Sequence, residues 1–139
     1  MRKIELLRGV SKLLGLAAVG LFTSTAMSSE DVIPKVPKEM LVRHLDNSEV
    51  YVLDVRTEEA WRAAEFKIKG ALREDPGDFH FWVQKYRDNQ AYVLYCDEPD
   101  EGASAALVQR LRDKNYSKSY ALKGGWREWL QAGYPVERK

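Results

Sequence analysis

The sequence predicts an α/β fold in which a parallel sheet carries helices on both faces. Two apolar runs, VYVLDV at 50–55 and AYVLYC at 91–96, have the continuous hydrophobicity of strands that are covered on both sides. Helical patterns with recognisable start and stop residues stand between these runs, and the connections are short. Strands that alternate with helices in this way are typical of a parallel sheet.

The first half of the domain supplies two helices and one strand. The first helix has Pro37 in its first turn, where proline is favoured, and its apolar face is formed by Met40, Leu41, His44 and Leu45. A turn at 46–48 leads into the strand at 50–55. Thr57 then caps the second helix, whose first turn carries two glutamates where the helix dipole favours negative charge.

The second half repeats the pattern. A short segment, KIKGAL at 67–72, precedes a helix predicted over 76–88, which carries Phe79, Phe81, Trp82 and Tyr86. The strand at 91–96 follows, and Ser104 is a good cap for a helix over 104–114 that Asn115 ends. A strand at 119–122, a turn at 124–125 and a closing helix over 126–133 complete the predicted fold.

Residues 1–26 have the pattern of an export signal. Basic residues precede the apolar run LLGLAAVGLF at 13–22, and small residues follow up to Ala26. The run is about half of the roughly 20 residues that a membrane-spanning helix needs. We therefore expect a signal peptide cleaved after Ala26, a linker at 27–36, a domain at 37–139, and a periplasmic or secreted protein. An uncleaved membrane tether and an organellar transit peptide are the alternatives.

Charge and composition exclude several classes of function. Beyond residue 26 the chain has 18 Lys and Arg against 20 Asp and Glu, so it lacks the basic excess of a nucleic-acid-binding domain. One cysteine and two separated histidines, His44 and His80, do not form a metal-ligand cluster, and no cofactor is expected. A single cysteine also cannot form a disulfide within the chain.

Cys96 is the candidate nucleophile because it stands where a buried strand gives way to a helix. Parallel sheets bind their ligands beyond the carboxyl ends of the strands. The segment that follows Cys96 contains four carboxylates before the helix cap. This candidate active-site loop consists of Asp97, Glu98, Pro99, Asp100, Glu101, Gly102, Ala103 and Ser104.

Four segments resemble the single-domain rhodanese sulfurtransferases, and the resemblance covers about 37–139. They are VLDVRTEEAW at 52–61, IKGA at 68–71, VLYC at 93–96 and LKGGWREWLQAGYPVE at 122–137. The resemblance implies a rhodanese-like sheet, with Asp54 and Arg56 organising the loop after the first strand. It further implies that Cys96 takes a sulfane sulfur from a small anionic donor as a persulfide and passes it to a thiol or another nucleophile.

The loop departs from the family pattern, which is similar to C-x-x-x-x-R-S. Counted forward from Cys96, the arginine position holds Glu101 and the serine position holds Gly102; counted back from Ser104, the nucleophile position holds Glu98. EPDEGAS also resembles variant loops of the form C-x-C-P-x-E-x-x-S. In that register Glu98 replaces the second cysteine.

The acidic loop leaves two functions open. Four carboxylates about 8 Å from a thiolate cost on the order of 2 kcal/mol in water, whereas a helix N-terminus returns about 0.3–1 kcal/mol. Lysines or arginines from neighbouring strand ends could offset this cost; the candidates are Lys67, Lys69, Lys123 and Arg127. The chain is therefore either a sulfurtransferase that acts through Cys96 or an inactive rhodanese-like domain that serves as a partner-binding or regulatory module. Phosphatase chemistry is disfavoured because no arginine lies between Cys96 and Ser104. Cys96 could also be no more than a small buried apolar residue.

Overall fold

The computed structural model describes residues 32–97 and 101–139. Its centre is a parallel sheet of five strands: β1 (Lys35–Val36), β2 (Val50–Asp54), β4 (Leu72–Arg73), β5 (Ala91–Tyr95) and β6 (Ser119–Leu122). Their spatial order is β1-β6-β5-β2-β4, and this parallel sheet confirms the predicted fold class. A separate antiparallel pair joins β3 (Phe66–Ile68) to β7 (Val136–Arg138).

Five α-helices connect and cover these strands in the described part of the chain. They are α1 (Lys38–Val42), α2 (Glu58–Ala63), α3 (Phe79–Trp82), α4 (Gly102–Asp113) and α5 (Gly125–Gln131). Thr57 caps α2 as expected, because its hydroxyl accepts a hydrogen bond from the Ala60 main-chain N–H over 3.1 Å. Asn115 follows α4 with a φ of 71°, the left-handed conformation that commonly ends a helix.

The two faces of the sheet bury two separate apolar clusters. Leu53 and Leu94 point to the face that is covered by α3 and α4, where they pack with Trp82 and Leu107. The alternate residues of the same strands point to the opposite face and pack against α1 and α5. Both faces of β2 and β5 are therefore buried, which explains why their sequences are continuous apolar runs rather than alternating ones.

The helix predicted over 76–88 is not continuous. The structure has a 3-10 turn at Pro76–Asp78, the four-residue α3, and a second 3-10 turn at Val83–Lys85. The start of the segment is held by Asp75, whose carboxylate accepts from the Gly77 N–H over 2.8 Å and whose carbonyl accepts from the Trp82 indole N–H over 2.8 Å. These local bonds replace regular helix geometry. Phe79 and Trp82 are still buried and Tyr86 is half-buried, whereas Phe81 is 74% exposed.

The structure also contains short strands that no sequence pattern predicted. β1 lies inside the segment at 27–36 that was expected to be a linker, and its neighbour β6 donates to it: Ala121 to the Pro34 carbonyl and Lys123 to the Val36 carbonyl, each over 3.0 Å. In the described residues no helix is long and apolar enough to cross a membrane. The predicted signal peptide at 1–26 and the first part of the predicted linker lie outside the described residues.

Candidate active site at the end of the central strand

Cys96 directly follows β5, the middle strand of the parallel sheet, and only 2% of its surface is exposed. Its main chain is anchored on the neighbouring element, because its carbonyl accepts a hydrogen bond from the N–H of Trp126 in α5 over 3.0 Å. Its thiol donates to the hydroxyl oxygen of Ser104 over 3.6 Å. The sulfur therefore lies at the carboxyl edge of the sheet, next to the first turn of α4.

Ser104 is in the first turn of α4 and is not its cap, which corrects the sequence prediction. Glu101 occupies the cap position in a left-handed conformation, with φ 57° and ψ 21°. The Ser104 hydroxyl, fully buried, donates to the carbonyl of Glu101 over 3.0 Å. The helix begins earlier than expected, and its serine is turned toward the cysteine. Because α4 begins at Gly102 and not at Ser104, the structure favours the alignment that counts the loop forward from Cys96 and puts Glu101 at the arginine position of the family pattern.

The Glu101 carboxylate is buried and has two strong contacts with described residues. One oxygen accepts from the main-chain N–H of Gly124 over 2.5 Å, and the other lies 2.7 Å from the ammonium of Lys35 in β1. The side chain is only 8% exposed. This carboxylate is compensated by a cation, in contrast to the expectation that all four acidic residues repel a thiolate equally. Among the other loop residues, Asp97 is half-buried and Ala103 is half-buried, whereas Glu98, Pro99 and Asp100 lie outside the described residues.

Asp54 and Arg56 form a fully buried ion pair beside Cys96, at the end of β2. The guanidinium donates to both carboxylate oxygens, with Nε 2.9 Å from Oδ1 and Nη2 2.6 Å from Oδ2. The hydroxyl of Tyr95 donates to the same carboxylate over 2.6 Å. Arg56 also packs its guanidinium 4.4 Å from the ring centroid of Trp126. The pair thus joins the ends of β2 and β5 to the first turn of α5.

Burial and then the Asp54 carboxylate raise the pKa of Tyr95 well above its ordinary value. The phenol is therefore protonated at neutral pH and acts as a hydrogen-bond donor. It also accepts from the Ile68 N–H over 3.2 Å, which ties β3 to β5. Tyr95 is a structural link under the candidate site.

A family model described as the Rhodanese-like domain matches residues 37–132. The chain belongs to the rhodanese-like domain family. This confirms the resemblance seen in the sequence. No curated protein matches the sequence.

Solved structures of rhodanese-like proteins share this fold at low sequence identity. A rhodanese-related protein from Thermoplasma volcanium is 20% identical, with a TM-score of 0.65, over 76% of this chain and 99% of that one. A rhodanese-like domain from Anabaena is 21% identical, with a TM-score of 0.65, over 76% of this chain and 80% of that one. A 3-mercaptopyruvate sulfotransferase from Escherichia coli is 20% identical, with a TM-score of 0.64, over 76% of this chain and 50% of that one. The rhodanese-like family therefore includes sulfurtransferases.

Two of the four basic residues that the sequence suggested could offset the acidic loop are engaged elsewhere. Lys67 donates to the Ala71 carbonyl over 2.7 Å, and Lys69 lies 3.7 Å from a carboxylate oxygen of Asp46. Within the described residues, Lys35 is a cation that reaches the loop, at Glu101, and sequence reasoning missed it. In the described residues no group of histidine, cysteine or acidic side chains has the arrangement of a metal site.

Proposed function

We propose that Cys96 accepts a sulfane sulfur as a persulfide and passes it to a thiol acceptor. The observation that carries the proposal is the position of the Cys96 sulfur at the carboxyl end of the central parallel strand, 3.6 Å from a hydroxyl in the first turn of α4. Membership of a family that includes sulfurtransferases supports the same chemistry. The substrates are then a small sulfur-containing anion and a thiol.

The reaction takes place in two displacement steps. In the first, the Cys96 thiolate attacks the outer sulfur of a donor such as thiosulfate; a new S–S bond forms, the S–S bond of the donor breaks, and sulfite leaves with the electron pair. In the second, an acceptor thiolate attacks the outer sulfur of the persulfide. Cys96 leaves as a thiolate and the acceptor becomes the persulfide, so no oxidant or reductant is consumed.

Ser104 is arranged to help the ionised sulfur. Its hydroxyl proton points to the Glu101 carbonyl, while its oxygen accepts from the Cys96 thiol. The same carbonyl also accepts from the Ala105 N–H over 2.8 Å. Because the carbonyl keeps that second donor, the hydroxyl can rotate and donate to a thiolate without leaving a buried acceptor unsatisfied.

A rhodanese-like module without transferase activity is the second candidate. Two observations favour it: Cys96 is 2% exposed, and Glu101 stands where the family pattern has a basic residue. Such a module would act by binding a protein partner.

Mass spectrometry of the intact protein after incubation with thiosulfate or polysulfide separates the two functions. We expect the parent protein to gain the mass of one sulfur atom, and Cys96→Ser to gain none. Absence of the adduct with every donor would eliminate the transferase function. If Glu98→Cys then forms the adduct where the parent does not, the working position of the loop is 98 and the present chain is an inactive variant.

We also propose that the protein is exported and cleaved after Ala26, so that the domain acts in the periplasm or outside the cell. The apolar run at 13–22 between basic and small residues supports this location. N-terminal sequencing of protein from the periplasmic or secreted fraction should start at Met27. An intact N-terminus in the membrane fraction would indicate a tether instead.

A further inference from the structure

We infer that Lys35 is a positioning residue for Cys96: it holds the carboxylate of Glu101, the cap residue of α4, against the Gly124 N–H and cancels its charge near the sulfur. The inference extends the proposed function, because it concerns the anions that this cysteine can meet. Lys35 lies 66 residues before Glu101 in the chain, and their charged groups are 2.7 Å apart. From β1, Lys35 supplies the positive charge that the family pattern places in the loop and that this loop lacks.

The contacts of the Glu101 carboxylate define its orientation. One oxygen is fixed by the Gly124 N–H and the other by Lys35, whose side chain is 42% exposed while that of Glu101 is 8% exposed. A carboxylate buried to this extent needs both a donor and a cation. Without Lys35, one oxygen would lose its cation and the side chain would turn toward water or toward the loop.

Lys35 is itself held in place by the sheet. Its strand, β1, runs parallel to β6 with Lys35 opposite Ala121, and the carbonyls on either side of Lys35 accept from β6. A short edge strand thus carries the cation to the carboxyl side of the sheet. The main-chain position of Lys35 therefore depends on hydrogen bonds within the sheet and not on the loop.

A continuous set of contacts connects this ion pair to the sulfur. Glu101 adopts a left-handed conformation that is strained for a residue with a side chain, and its carbonyl accepts from the Ser104 hydroxyl. Ser104 in turn contacts the Cys96 sulfur. Anchoring the Glu101 side chain therefore fixes the carbonyl that orients the serine, in addition to cancelling a negative charge.

The test compares alkylation of Cys96 by iodoacetate, an anion, and iodoacetamide, a neutral reagent of similar size. Both reagents form a sulfur–carbon bond and release iodide, so steric access cancels in the ratio of their rate constants. An uncompensated negative charge about 8 Å from the sulfur lowers the rate constant for an anionic reagent about 2-fold at the dielectric of water and about 30-fold at an effective dielectric of 20. We expect Lys35→Met to lower the iodoacetate-to-iodoacetamide ratio about 3- to 10-fold.

Two further variants give the matched comparison. Lys35→Arg should keep the ratio close to that of the parent. Arg138→Met removes the same charge from a β7 residue that pairs with Glu65 over 2.7 Å, and it should leave the ratio unchanged. Equal changes in Lys35→Met and Arg138→Met would overturn the inference, because the effect would then be one of net charge.

Amide hydrogen exchange at Gly124, followed by NMR, provides a measurement that needs no reactive sulfur. Lys35→Met should speed exchange of this N–H because the carboxylate that accepts from it becomes mobile, and Lys35→Arg should not. Unchanged exchange in Lys35→Met would contradict the inference even if Cys96 reacted with neither reagent. Neither measurement requires sulfur transfer, so the positioning role and the proposed function can fail separately.

Discussion

Replacing Asp54 by asparagine removes the charge from the buried pair under the candidate site while it preserves the shape of the side chain. In the folded protein the Asp54 carboxylate accepts three bonds from the Arg56 side chain and one from Tyr95, over 2.6–3.1 Å. Both partners of the ion pair are 0% exposed. The variant would leave the guanidinium buried without an anion, a change that costs about 3–5 kcal/mol. A domain of this size is stable by about 5–15 kcal/mol, so the loss is a large share of the total.

Urea unfolding followed by tryptophan fluorescence measures this cost. With a slope of about 1–2 kcal/mol per molar urea, the midpoint of Asp54→Asn should fall by about 2 M or more. Glu65→Gln is the matched control, because it breaks an ion pair of 2.7 Å whose side chains are 58% and 76% exposed; we expect a change below about 1 kcal/mol.

Tyr95→Phe provides an intermediate case and does not depend on Asp54→Asn being folded. This variant removes one donor to Asp54 and the acceptor of the Ile68 N–H, so we expect a loss of about 1–3 kcal/mol. The order of cost should be Asp54→Asn, then Tyr95→Phe, then Glu65→Gln. A cost for Asp54→Asn as small as that of Glu65→Gln would refute the assigned importance of the buried pair.

Two other predictions concern pH and backbone conformation. Because the pKa of Tyr95 is raised above its ordinary value of 10.0, the unfolded chain loses this proton at a lower pH than the folded protein does. The contribution to the free energy of unfolding is therefore full below pH 10 and falls above it by about 1.4 kcal/mol per pH unit per tyrosine. Urea midpoints measured between pH 9 and 11 should fall less steeply in Tyr95→Phe than in the parent protein. Gly124→Ala places a side chain at a φ of 80° and against the Glu128 carboxylate, so we expect the free energy of unfolding, measured in urea, to fall by about 1–2 kcal/mol or more. The control Gly133→Ala, where φ is 67° and the space is open, should lower it by less.

The central strands were predictable because their environment leaves a mark on the sequence. β2 and β5 are buried on both faces, so nearly every residue is apolar and the runs at 50–55 and 91–96 are continuous. β1 and β4 have two residues each, too few to show a periodicity. They exist because neighbouring strands supply main-chain partners, which is a property of the assembled sheet and not of the local sequence.

The position of Cys96 was predictable for a related reason: a strand end is a local feature, and the sheet type determines which edge binds ligands. The network of side-chain hydrogen bonds around Cys96 was not predictable from the sequence. Tyr95 reads as one more apolar residue of the strand, and its bond to Asp54 spans 41 residues. Lys35 lay in a segment expected to be a linker, and only the pairing of β1 with β6 brings it near the loop.

The location of Lys35 changes how the acidic loop should be judged. Counted along the sequence, the four carboxylates after Cys96 look equivalent, and each adds about 0.5 kcal/mol against a thiolate in water. In the folded protein Glu101 is paired with Lys35 and bonded to Gly124, so its charge is largely cancelled at short range. A glutamate at the position of the family's basic residue is therefore compatible with an ionised sulfur, provided that a cation arrives from another strand. Under the proposed function, the charge of the whole strand edge, and not that of the loop alone, is therefore the quantity to compare among rhodanese-like domains.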